Sequence, residues 1–407
     1  METAENDNQE TIRRLEALNF PGNPDFDPTI FLTWDTPNLN SRVRSGLRPY
    51  IDWAQNAVRY PTDVVMITHL ILYFTTSVPS AIYLFRNFTY THGFLHWMMS
   101  TYYVGSYTLI KHQHIHANGV LAKRFPYSWI DCLFPYITDP LMGHTWNSYY
   151  YHHVKHHHVE ANGPEDLSST IRYQRDDIWN LLHYIGRFYF LIWFDLPMYF
   201  FRKGKYSKAF KSFSWEAGSL VSIFLLALWQ FGPTLFAFIL PLMVVRFILM
   251  IGNWGQHAFV DEEDPESDFR SSITLIDVAV STKMTLTNYS RTLIALQSNR
   301  FCFNDGYHTS HHLNPRRHWR EHPVSFLKQK SRYAFERALV FRNIDYLMIT
   351  YRLMIKDYNH LARCLVPIGN QIGMTMSEKA RMLQQKTRRF TEEEIKKKFK
   401  TAGPWNM

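Results

Sequence analysis

Twelve of the chain's 20 histidines gather at His112, His114 and His116, at His152, His153, His156, His157 and His158, at His257, and at His308, His311 and His312. Imidazole is the common borderline ligand for iron, zinc and copper. Spacings of three and four residues put such side chains on one turn of a helix. A single mononuclear site could not use so many, so the pattern points to more than one metal ion.

Each dense cluster follows an apolar stretch, and those stretches must position it. The chain has 407 residues, 46% hydrophobic and 16% aromatic, which favours a lipid-facing protein, yet its mean hydropathy is −0.26. Four spans of about 20 residues set among long polar segments reconcile the two values. The expected spans are Val64–Phe85, Gly93–Ile110, Ser219–Phe231 and Thr234–Ile251, with a turn at Gly232-Pro233 and interface anchors at Trp215 and Trp229. Residues 111–213 hold twelve Lys and Arg, whereas the outer turns carry only Arg86. The positive-inside rule therefore faces the loops and every cluster to the cytosol.

The expected architecture is all-α: an integral membrane helical bundle of about four transmembrane helices in two hairpins, with a cytosolic histidine-rich cap. Residues 1–61 read as a cytosolic arm, 62–325 as the membrane catalytic domain, 326–372 as cytosolic cap helices and 373–407 as a charged tail. Ile178–Phe201 is apolar but contains His183, Arg187, Asp195 and Pro197. It reads as an interfacial helix, because a crossing there would separate the second and third clusters. Ile344, Leu347, Met348, Tyr351, Ile355 and Tyr358 recur at helical spacing, as in a helix capping the catalytic side. The tail from Ser377 to Lys400 reads as solvated. Arg246, inside the last span, is expected to snorkel toward headgroups.

The start, METAENDNQETIRR, lacks an apolar signal core, and Glu2 excludes myristoylation. Cys132, Cys302 and Cys364 form no CxxC and no even-numbered framework, which suits a reducing cytosol. The net charge of +9 suits anionic headgroups. No nucleic-acid-binding motif accompanies it.

In the first cluster His112 and His116 share a helical face, and His114 points elsewhere. The second is over-supplied: His153, His156 and His157 fit one register, while His152 or His158 enter in the alternatives, with His157 common to all. The third repeats the triplet at His308, His311 and His312, with Asp305 placed to cap the helix or orient an imidazole. His257 follows Asn253 by four residues, where an amide oxygen could hold a metal-bound water.

These boxes, HxxxH at His112, HxxHH at His153, the lone His257 and HxxHH at His308, resemble the membrane-bound fatty acid desaturase and hydroxylase superfamily over roughly residues 60–325. The resemblance implies two irons held by His112, His116, His153, His156, His157, His257, His308, His311 and His312. Asn253 would approach one iron through water. It also implies dioxygen as co-substrate and a lipid-like acyl or alkyl chain as substrate, with desaturation leading and hydroxylation the alternative outcome. Gly163-Pro164-Glu165-Asp166 is similar to the run after the second box in bacterial alkane monooxygenases. That alignment selects His153, His157 and His158 and makes Glu165 and Asp166 candidates for supporting the ligands.

No fused electron carrier is visible, since haem-b5, rubredoxin and GxGxxG signatures are missing. The resemblance implies cytochrome b5 with its reductase as donor, and an endoplasmic reticulum location in a eukaryote; the C-terminus, Gly403 to Met407, shows no KDEL-type signal. One rival reading takes His318, Glu321 and His322 as an inverted zinc-protease motif, HxxEH. Pro323 limits that helix, and the other clusters would have no purpose. Another rival is a non-catalytic metal-binding membrane protein.

Overall fold

The computed structural model describes residues 2–32, 39–276 and 299–399. The C-terminal residues Gly403 to Met407 lie outside that range. The chain forms two compact units, Met1–Tyr151 with Leu196–Arg246, and His152–Asp195 with Phe247–Met407.

The first unit contains α1 (Glu2–Ala17), α2 (Ser41–Ala57), α3 (Val64–Arg86), α4 (Tyr90–Ala117) and α5 (Tyr127–Leu141). Its α3 and α4 pack as a hairpin through the rings of Tyr73, Tyr103 and Tyr107, and Tyr73 Oη lies 2.6 Å from Ser106 Oγ. Asn118, left-handed at φ 55°, ends α4. The Arg59 guanidinium, following α2, donates to the carbonyls of Ala117 and Asn118. That contact fixes the helix end just beyond His116.

From the first unit the chain enters the second and returns along α6 (Ile178–Arg202). It continues as α7 (Tyr206–Trp229) and α8 (Phe231–Gln256). Among the described residues three helices, α3, α7 and α8, are long and apolar enough to cross a membrane. The expected second span lies within α4, which is 28 residues long but less apolar, because its buried face carries His96, Ser100, Tyr103 and Tyr107. The break between α7 and α8 falls at extended Gln230, two residues before the expected Gly-Pro turn. Gly232 and Pro233 instead open α8, where a proline is tolerated because the first-turn N–H groups have no helical acceptor.

Arg246 does not snorkel. Its guanidinium meets the carboxylate of Glu216 on α7, which also accepts from Thr145 Oγ1 at 2.6 Å. Both charges are buried, and a paired, hydrogen-bonded charge is the arrangement an apolar surround tolerates. Arg246→Met alone should lower stability by about 3–5 kcal/mol by stranding Glu216. Arg246→Met combined with Glu216→Leu should recover most of that loss in a detergent melt. Full persistence of the loss in the double variant would show that the pair is not its source.

The second unit packs around two short parallel strands that were not expected, β1 (Ile273–Ile276) and β2 (Leu339–Arg342), with Ile273 opposite Leu339. Beside them lie α9 (His308–Leu313), α10 (Tyr346–Met354) and α11 (Tyr358–Cys364). The single helix expected over Ile344 to Tyr358 is thus two, and Asp357 caps the second by accepting from His360 N at 3.0 Å. Helix α10 buries Tyr346, Ile349, Thr350 and Leu353, whereas Leu347, Tyr351 and Ile355 of the expected stripe are exposed.

The tail is docked rather than solvated. Its helices α12 (Met376–Gln385) and α13 (Glu392–Lys398) each begin with a Thr/Glu capping box, Thr375 with Glu378 and Thr391 with Glu394. Leu383, Phe390, Ile395 and Phe399 are buried, three of them against Ile171 and Val260. Each such side chain contributes roughly 1.5–3 kcal/mol relative to exposure, enough to hold a segment that looks hydrophilic by composition.

Candidate metal centre

Within the first unit, α4 sets the His112 and His116 rings 4.8 Å apart between centroids. His114 is turned away, its Nε2 3.0 Å from the Asp131 carbonyl oxygen and its ring on Phe134. Next to His112, Lys111 is buried and donates to Asp139 at 2.9 Å. Asp139 also accepts from Tyr107 Oη.

In the second unit the histidines form two groups. His157, His257, His308 and His312 bring their ligand nitrogens within 4.8 Å of one another, and so do His153, His158 and His311. The third box therefore divides: His308 and His312, one turn apart on α9, serve one group, and His311 faces the other. The second box divides likewise, with His157 in the first group and His153 and His158 in the second.

Backbone geometry explains that register. Tyr150–His157 is a π-helix, whose hydrogen bonds close five residues apart, so residues four and five apart share a face. His153 and His158, five apart, place their Nε2 atoms 3.1 Å from each other. The structure brings His156 to neither group. It stands with His152 and Asp166, Nε2 3.1 Å from the Glu165 carbonyl oxygen and Nδ1 3.8 Å from Asp166 Oδ1. His152 packs on Phe188.

Tautomers follow from the outward-facing nitrogens. His157 Nδ1 donates to Asp166 Oδ2 at 2.7 Å, and His257 Nδ1 donates to the Ser271 carbonyl at 2.8 Å. Both Nε2 atoms are then unprotonated, and that of His157 is buried with no hydrogen-bond partner among the described residues. His308 Nε2 lies 3.1 Å from the Nε2 atoms of both His257 and His312, so one proton cannot satisfy all three. In the other group His158 Nε2 is likewise 3.1 Å from His153 and 2.9 Å from His311. Converging lone pairs repel unless a cation sits among them. Two ligands at right angles, each about 2.1 Å from an ion, are about 3 Å apart, so the donor set fits a metal.

Burial, reinforced by the imidazoles of His312 and His157, pushes His257 well below the ordinary histidine range. Burial and the imidazoles of His312 and His257 do the same to His308. Both shifts favour the neutral, ligating form.

The run after the second box is a scaffold. Asp166 is buried; its Oδ1 accepts from Ser168 N and Oγ at 2.8 and 2.7 Å, and its Oδ2 from Asn162 N at 3.1 Å as well as from His157. Burial alone would raise this carboxyl, but the imidazoles of His157, His156 and His152 outweigh it and hold it well below the usual range. With its acceptor sites filled, Asp166 orients His157 rather than offering a third metal site with His152 and His156. Glu165 contributes its carbonyl.

Asn253 uses its amide hydrogens on Ser168 O at 2.9 Å and Tyr184 Oη at 2.7 Å, which leaves Oδ1 as its acceptor. Asp305 does not cap α9, whose N-cap, Tyr307, makes no side-chain capping bond. The Asp305 side chain is 3.5 Å from Gln256 Nε2, and burial raises its carboxyl to about 6. Ser271 and Tyr184 carried no sequence signal; the first acts through its backbone carbonyl, which any residue could supply. His318 caps a 3-10 turn, and His322 Nδ1 lies 3.0 Å from Ser310 Oγ. Among the described residues neither joins Glu321 in a candidate metal group.

Residues 89–333 match the family described as Fatty acid desaturase; the match covers more than half of the chain, which belongs to that family. Membership makes it a membrane oxidoreductase acting on lipid chains, in a family that is typically di-iron. No curated protein and no solved structure matches the chain.

Proposed function

We propose that the chain is a dioxygen-dependent di-iron enzyme that introduces a double bond into the acyl or alkyl chain of a lipid-like substrate. The observation that carries this reading is the pair of histidine groups whose nitrogens converge to about 3 Å at the spacing of a bound cation. His153, His158 and His311 would hold one iron, and His157, His257, His308 and His312 the other. His112 and His116 are included as ligands on the sequence pattern alone. Bound iron supplies the activation of dioxygen that removal of hydrogen from an unactivated C–H bond requires. The protein's own part is to keep the imidazoles neutral and correctly tautomeric, through Asp166 and Ser271, and to fix one carbon of the substrate with water excluded.

A second reading, hydroxylation of an apolar chain, draws support from the second box. The alkane-monooxygenase-like run Gly163 to Asp166 selects the His153, His157, His158 register, and Asp166 in that run accepts from His157 Nδ1. Cytochrome b5 and its reductase are the proposed electron donors, drawn by the basic net charge. The proposed setting is the endoplasmic reticulum membrane with the histidines facing the cytosol.

The test is to purify the protein in detergent, measure iron and zinc per chain, and supply reductant, dioxygen and lipid extract. Iron together with a product lighter by two hydrogens supports desaturation, and a product heavier by one oxygen selects the second reading. Zinc without iron in an active preparation would overturn both and return attention to His318, Glu321 and His322.

A further inference from the structure

The residue after His257 is gripped by an unusual side chain. Arg175 is completely buried, and each hydrogen bond found for its guanidinium ends on a backbone carbonyl. Nε donates to Ala258 O at 3.0 Å, Nη1 to Thr170 O and Tyr173 O at 3.0 and 3.3 Å, and Nη2 to Lys386 O and Arg388 O at 3.0 and 2.6 Å. One planar fork thus joins three stretches of chain, a task for which lysine has too few fixed donors. Thr170, on the segment Arg175 holds, donates from Oγ1 to the His257 carbonyl at 2.7 Å.

The C-terminal segment completes the grip. Val260 N donates to Lys386 O at 3.0 Å, Arg175 N to Thr387 O at 2.9 Å and Phe390 N to Ile171 O at 2.9 Å. Lys386 pairs with Asp261, Arg388 with Glu262 and Arg172 with Glu392. The carbonyls of His257 and Ala258 are therefore both claimed, one by Thr170 and one by Arg175. Residues 386–390 lie outside the matched residues 89–333, so the family pattern says nothing of them.

We infer that Arg175 is a positioning residue for His257: it ties the backbone beside this histidine to the C-terminal segment and so sets the imidazole's place in its metal group. A buried guanidinium with no carboxylate in ion-pair range among the described residues is costly, even with Asp176 and Glu262 acting on it at longer range. Fixing a ligand-bearing backbone gives that cost a purpose. The inference rests on the reading of His257 as a ligand.

The experiment titrates Co(II) into the full-length, metal-free protein in detergent and follows its visible absorption. The variants are Arg175→Lys and Thr170→Val; the second removes only the hydroxyl at similar shape and carries the test where the guanidinium also supports the fold. Expected is at least tenfold weaker binding of one of the two cobalt ions, with an altered band for that ion and the other unchanged. Wild-type binding and spectrum in Thr170→Val and in a folded Arg175→Lys would overturn the positioning role alone. No Co(II) binding by the wild-type protein would overturn the metal-centre reading and this inference with it. Equal weakening at both ions would mark a general loosening of the fold and overturn the specific role.

Discussion

Replacing His158 by alanine is expected to remove one of the two irons proposed per chain and to abolish product formation, whereas His156→Ala keeps both irons. A simple HxxHH reading predicts the reverse, because it places His153, His156 and His157 on one helical face. The contrast comes from the π-helix over Tyr150–His157. It turns His158 Nε2 to within 3.1 and 2.9 Å of the His153 and His311 nitrogens and leaves His156 Nε2 at the Glu165 carbonyl. His156→Ala still removes a buried imidazole beside Asp166, so a loss within the roughly 10–100-fold typical of groups that support a ligand is expected. The loss in His158→Ala should exceed that range and resist added iron. Elemental analysis of the two purified variants, read beside their turnover, decides the matter. Equal iron content in both, or a deeper loss in His156→Ala, would return the register to the α-helical one.

The third box was legible because His308, His311 and His312 lie on an ordinary α-turn, where three- and four-residue spacing means what it usually means. The second was ambiguous because five histidines in seven positions fit every register, and no side-chain pattern announces a π-turn. Ile178–Phe201, read as interfacial, lies in one continuous helix, Ile178–Arg202, which is not among the three described helices long and apolar enough to cross a membrane. Arg246 was misjudged because its partner, Glu216, lies on a separate helix, and sequence distance hides such pairs. The tail was misjudged for a related reason. Its charges outnumber Leu383, Phe390, Ile395 and Phe399, whose irregular spacing makes no stripe, yet the two capping boxes at Thr375 and Thr391 were signs of real helices. Strands β1 and β2 are four residues each, and a parallel pair between distant segments leaves no local trace.

Asp166→Asn should weaken metal binding at the His157 group by about 10–100-fold while leaving the ligand in place. The wild-type carboxylate accepts from His157 Nδ1, Asn162 N and both donors of Ser168, four bonds that need two acceptor oxygens. An amide supplies one. If its oxygen stays with Ser168, the NH2 group faces His157 Nδ1, and that nitrogen can accept only by moving the imidazole proton to Nε2, the atom meant for the metal. If the amide turns over, His157 keeps its tautomer, but the Ser168 donors lose their acceptor and the loop loses about 1–3 kcal/mol. Either way the binding equilibrium shifts without destruction of the site, so excess iron should restore a large part of the activity. His157→Ala, which deletes the ligand, should show no such rescue. Turnover measured against added iron separates the two variants; an Asp166→Asn protein with wild-type iron dependence would show that this carboxylate holds the loop and has no part in orienting His157.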